Sequence, residues 1–91
     1  MSSILIVGGD RLGVIPEKLR AFGYTKVNHI SGRKTKMVKK QIPYETNSIL
    51  ILTDYVNHNM LYSIKKQAAN QKIPVYFAKR SWAYIEQSLK A

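Results

Sequence analysis

Cysteine is absent from the 91 residues, which excludes disulfides, thiolate metal sites, cysteine nucleophiles and iron–sulfur clusters and leaves the redox compartment open. With only two histidines beside that absence, no structural zinc set can be assembled, and no metal site is expected. Acidic residues are scarce: five Asp and Glu stand against fifteen Lys and Arg, a formal net charge of +10. Such an excess attracts polyanions and speeds their encounter, but it does not determine a fold. Nucleic acid, an anionic small ligand and plain solubility all agree with it. No apolar run approaches the length of a membrane span, and the first nine residues carry no basic stretch of the signal-peptide kind. The expectation is a cytoplasmic protein with no membrane partner. Also missing are helix-turn-helix spacing, an RNP motif, a zinc finger and any Gly-Lys-Ser/Thr phosphate loop.

What is present is a hydrophobic fraction of 45%, enough for a folded core in one domain over residues 1–91. Neither an internal repeat nor a linker interrupts it. Ile49 to Leu52 form a continuous apolar, β-rich run, the pattern of a central parallel strand covered on both faces. Ile4 to Val7 read the same way and end at Gly8-Gly9-Asp10-Arg11. Pro16 suits the first turn of a helix, Leu19 and Phe22 share a face, and Gly23 is placed to stop it. Val27 to Ile30 is a shorter and more polar strand, at an edge of the sheet, with His29 as a surface residue. A short helix is expected from about Thr35 to Gln41, closed by Pro43. Strand three, Ser48 to Thr53, precedes a helix from about Asn59 to Gln71 with Met60, Leu61, Ile64 and Ala68 on one face. Ile73 to Phe77 is strand four, with Pro74 near its start, and Ser81 caps a last helix carrying Trp82, Ile85 and Leu89.

Strands alternating with helices at this spacing predict an α/β protein: a small doubly wound parallel sheet of order 2-1-3-4 with helices on both faces, flavodoxin-like or Rossmann-like. In that topology the loops after strands one, three and four meet at the carboxyl edge, where the strand order reverses. They would bring together Gly8, Gly9, Asp10 and Arg11, then Asp54, Asn57, His58 and Asn59, then Lys79, Arg80 and Ser81. Glycines let a backbone approach a ligand, helix starts offer N–H groups, and Arg11, Lys79 and Arg80 offer full charge, so the expected site is a pocket for an anionic or phosphate-bearing small molecule. Each residue also has a plainer use. The glycines turn the chain, Asn57 or Asn59 caps one helix, and Ser81 caps another.

Catalysis has little to stand on. Asp10, Asp54, Lys79 and Ser81 only partly match a phosphoacceptor receiver domain, since the acidic pair after the first strand and a fifth strand are absent. Ser81, His58 and Asp54 lack the nucleophile elbow that a hydrolytic triad requires. The leading reading is therefore a non-catalytic binding module with no cofactor assigned. His58, at a helix start, is its first candidate for accepting a proton or ligating a metal, and no motif calls for a haem on a single histidine. The alternative is a nonspecific nucleic-acid-binding protein gripping phosphates through Arg33, Lys34, Lys36, Lys39 and Lys40, with Tyr44, Tyr55 and Tyr62 as candidate stacking residues. A lesser alternative is a self-associating structural or haem-binding protein. A homodimer is the commonest outcome for a small domain, and Trp82 and Tyr84 lie on different sides of the last helix.

The Ile4 to Gly9 opening, His29 with Ser31-Gly32, the Thr53 to His58 turn, Ile73-Pro74-Val75 and Arg80-Ser81 together carry a resemblance over nearly the whole chain. It resembles the small bacterial family known as domain of unknown function 2325. That resemblance implies a flavodoxin-like or Rossmann-like sheet and brings no activity with it. The chain departs from the family's pattern at Asp10, where arginine is frequent, and at Ile30, where an acidic residue is.

Overall fold

Two stretches without a polar side chain at their centres, Ser3–Val7 and Ser48–Leu52, are strands in which every residue is buried. In the computed structural model, which describes residues 2–31, 42–43 and 45–90, they lie side by side in the middle of a sheet. The elements run β1 (Ser3–Val7), α1 (Ile15–Phe22), β2 (Lys26–Ile30), β3 (Ser48–Leu52), α2 (His58–Gln71), β4 (Val75–Ala78) and α3 (Trp82–Lys90). All pairings are parallel, in the order β2-β1-β3-β4. This is the α/β sheet expected of a flavodoxin-like or Rossmann-like fold. The helix expected over Thr35 to Gln41, and with it Arg33, Lys34, Lys36, Lys39 and Lys40, lies outside the described residues.

Side chains alternate across a strand, so β1 and β3 each feed two cores. Leu5, Val7, Ile49 and Ile51 meet Met60, Ile64 and Ala68 of α2 on one face. Ile4, Ile6, Leu50 and Leu52 meet Ile15 and Leu19 of α1 and Ile85 of α3 on the other. Each such aliphatic side chain contributes about 1.5–3 kcal/mol by leaving water. The split follows from topology. The chain steps from β1 to β2 in one direction and from β3 to β4 in the other, and right-handed crossovers then put α1 and α2 on opposite faces. Phe22 clasps α1 to α3, edge-on to Trp82 with centroids 6.1 Å apart. No helix among the described residues is long and apolar enough to cross a membrane.

Local chemistry sets the helix ends. Pro16 falls in the first turn of α1, and Gly23 closes it at φ 132°. Asn57 caps α2, its side-chain oxygen accepting from Met60 N at 2.8 Å, so the helix begins at His58. β4 starts at Val75, two residues later than the apolar run suggests. Pro74 has no N–H for the ladder, and Ile73 N is already used in closing α2, donating to Ala68 O at 2.9 Å.

At the end of α2, Lys72 occupies the left-handed region, φ 58°, where a glycine is the unstrained residue. Lys72→Gly is therefore expected to stabilise the protein by about 0.5–1 kcal/mol in chemical denaturation, the relief exceeding the entropy that glycine adds to the unfolded chain; a lower midpoint would contradict this account of the cap.

Candidate functional site

β1 runs out of the sheet at two consecutive glycines in the left-handed half of conformational space, Gly8 at φ 112° and Gly9 at φ 75°. Gly8 N donates to Ile30 O at 2.9 Å, and Gly9 N donates to Tyr55 O at 2.8 Å. Their carbonyls turn the other way, and both accept from His29 Nε2, at 2.9 and 3.2 Å. Carbonyl oxygens only accept, so the geometry puts a proton on Nε2. A Cβ on Gly8 would stand 3.0 Å from Tyr55 O and 3.1 Å from Leu52 O. The glycine N–H groups are thus engaged in tying β1 to β2 and to the turn after β3. The sequence suggests a backbone cradle for a ligand at this point; here the two glycine N–H groups are taken by the fold itself.

Arg80, between β4 and α3, joins the remaining loops. Its backbone N–H donates to Asp54 Oδ1 at 3.0 Å. Its side chain reaches back across the carboxyl edge, where Nε donates to Arg11 O at 2.8 Å and Nη2 donates to the same oxygen. One residue therefore fixes the spacing of the loops after β1, β3 and β4. Asp54 sits in a turn closed by Tyr55 N donating to Leu52 O at 3.0 Å.

Between these loops lies an open cleft of about 790 Å³. That is within the roughly 300–1,000 Å³ common for small-molecule sites. Six residues singled out in the sequence line it: Gly9, Asp10, Arg11, Asp54, Asn57 and Arg80. Tyr55 and Val56 complete the lining. Among the described residues the lining therefore includes two arginines and two aspartates. Asp10 Oδ1 accepts from Ser31 Oγ at 3.1 Å. In the loop that leads into α1, the N–H groups of Arg11, Leu12 and Gly13 have no hydrogen-bond partner among the described residues.

The other candidates stand elsewhere. Gly8 is buried beneath the turn, and His58 and Asn59 are exposed in the first turn of α2, outside the cleft lining. Lys79 places Nζ 5.6 Å over the Tyr84 ring. Ser81 occupies the cap position of α3, its carbonyl accepting from Ile85 N at 3.0 Å. His58 and Ser81 therefore do not join Asp54 in the cleft. Three contributors lie beyond the sequence reading of this pocket. Tyr55 enters that reading only as a stacking residue for nucleic acid, although its position directly after Asp54 is a usable signal, and Val56 beside it is not among the candidates. His29 reads as a surface residue of an edge strand, and only the parallel register, which sets Ile6 beside His29 and brings Gly8 next to the end of β2, reveals its reach.

The family described as "Uncharacterized protein conserved in bacteria (DUF2325)" matches residues 3–91, and the chain belongs to it. No curated protein and no solved structure gives a match.

The glycine turn makes its own prediction. Gly8→Ala is expected to cost about 1–3 kcal/mol, the usual penalty for forcing a side chain into such a conformation. His29→Ala should cost about 1 kcal/mol, and His29→Gln, which keeps an N–H at similar reach, should recover most of that. Urea midpoints measure all three; equal losses for the Ala and Gln variants at position 29 would remove the bridging role.

Proposed function

We propose that this member of the family is a non-catalytic binding module whose strand-end cleft holds an anionic, phosphate-bearing small molecule. The observation that carries the reading is the arrival of Arg11 and Arg80 in one cleft from opposite ends of the chain, beside a loop whose N–H groups at Arg11, Leu12 and Gly13 take no partner among the described residues. Backbone N–H groups at a helix entrance and a guanidinium close by are the usual means of holding a phosphate. Arg80 commits Nε and Nη2 to Arg11 O, so it acts chiefly as a fixed strut, and Arg11 supplies the mobile cation. Among the described lining residues nothing pairs a nucleophile with a base, which favours binding over chemistry.

Thermal denaturation tests this. A ligand present at about 100 times its Kd stabilises by about 2.7 kcal/mol, a rise in Tm of about 10 °C or more for a domain of this size. Phosphosugars, nucleotides and inorganic phosphate at millimolar concentration are expected to include at least one that raises Tm, and Arg11→Glu should abolish the rise. No shift with any of them would defeat the proposal.

A second reading is nonspecific nucleic-acid binding. It is favoured by a separate observation: the chain carries fifteen cations, and among the described ones only Arg11 and Arg80 line the cleft. This reading predicts oligonucleotide affinity that falls steeply with salt and is hurt more by Lys36→Glu and Lys39→Glu than by Arg11→Glu. Fluorescence anisotropy across a salt series measures it, and a flat response would dismiss it.

A further inference from the structure

The residues that line the cleft differ in chemistry, and the difference narrows the ligand. One of them is Tyr55, with its residue surface 55% exposed. Its backbone is held on both sides: Tyr55 N donates to Leu52 O at 3.0 Å, and Tyr55 O accepts from Gly9 N at 2.8 Å. Most exposed aromatic rings in this protein have a neighbour to cover them. Phe22 stacks on Tyr24 with centroids 6.3 Å apart, Lys65 Nζ sits 5.8 Å over Phe77, and Lys79 Nζ covers Tyr84. Tyr55 has no ring or cation partner among the described residues. Tyr62 has none either, but it points away from the core on the outer side of α2 and lines no cleft. A flat ring on a fixed backbone, uncovered at the mouth of a cleft, loses little freedom when another flat ring stacks on it.

Asp54 lines the same cleft. Oδ1 accepts the Arg80 N–H, and Oδ2 has no partner among the described residues. A carboxylate repels a bare polyanion and accepts from hydroxyl groups. Arg11 lines the same cleft, and the loop that carries it into α1 leaves the N–H groups of Arg11, Leu12 and Gly13 without a partner among the described residues. The distance between these two regions is set by Arg80, whose backbone N–H is on Asp54 and whose guanidinium is on Arg11 O. Arg80 thus ties the hydroxyl acceptor to the loop that carries Arg11. A ribose 5′-phosphate carries a hydroxyl donor and a phosphate on one small unit, the pair of groups that these two regions would meet.

We propose that the ligand is a nucleoside 5′-monophosphate, with its base stacked on Tyr55, a ribose hydroxyl donating to Asp54 and its phosphate held by Arg11 and the loop before α1. The proposal rests on the reading above that the cleft binds a phosphate-bearing molecule. Charge selects the single phosphate. Among the described residues two arginines line the cleft, so each phosphate added beyond the first brings more negative charge towards Asp54 with no further described cation in the lining to meet it.

Isothermal titration of the full chain with AMP, GMP, CMP, UMP, ribose 5-phosphate and inorganic phosphate tests it, with Tyr55→Ala and Asp54→Asn as variants and their unliganded Tm as a folding control. At least one monophosphate is expected to bind about tenfold or more tighter than ribose 5-phosphate. Tyr55→Ala should erase that advantage and leave ribose 5-phosphate unchanged. Asp54→Asn, which keeps an oxygen for the Arg80 N–H, should weaken nucleotide and ribose 5-phosphate alike and spare inorganic phosphate. If ribose 5-phosphate or inorganic phosphate binds as tightly as all four nucleotides, or if Tyr55→Ala changes nothing, the nucleotide assignment fails and the phosphate site stands. If none of the six binds, the phosphate site fails with it.

Discussion

The parallel pairing of β1 with β3 is the constraint from which the rest of the molecule follows. The two strands share a ladder that runs from Ile4 beside Ser48 to Val7 beside Ile51, and each is buried from end to end. Parallel neighbours must be covered on both faces, which requires α1 and α3 on one side and α2 on the other. They also send their connections outward in opposite directions, which leaves a gap between the loops that follow them. The cleft is that gap. Gly9 lines it, and Arg80 ties its loops together.

Much of this was legible in the chain itself, for physical reasons that differ from element to element. The unbroken apolar runs of β1 and β3 leave no polar face to offer to water, so a central position was the only comfortable one for them. Pro16 and Gly23 mark the ends of α1 through restrictions of their own backbones, and Asn57 declares the start of α2 through a bond only three residues long. Such signals are local, and a sequence displays them. The strand order followed from the apolar purity of β1 and β3, which claims the two central places, and the meeting of three loops followed from that order.

The cleft was less legible because its decisive bonds are between residues distant in the chain. Arg80 and Arg11 are 69 positions apart, and nothing near either residue says that one will bind the other's carbonyl. Lys79 and Arg80 look equivalent in sequence, yet Lys79 covers Tyr84 while Arg80 crosses the strand ends. His29 is a similar case: an exposed residue on an edge strand is commonly decorative, and its bond to both glycine carbonyls depends on a register that no short stretch encodes. Caps and turns draw on the same residue types as binding sites, which is why Ser81 and Asn59 could be candidates and still lie outside the lining. Asn57 caps α2 and also lines the cleft.

The central claim is that loops from three strands act together on one bound anion. A titration with inorganic phosphate or a phosphate ester followed by amide nuclear magnetic resonance reads each loop separately and tests it most directly. The account predicts shifts that saturate together at Gly9, Arg11, Tyr55 and Arg80 while β2 and the outer face of α2 stay still. Shifts confined to the basic stretch from Arg33 to Lys40, or spread over lysines across the surface with no saturation, would contradict it.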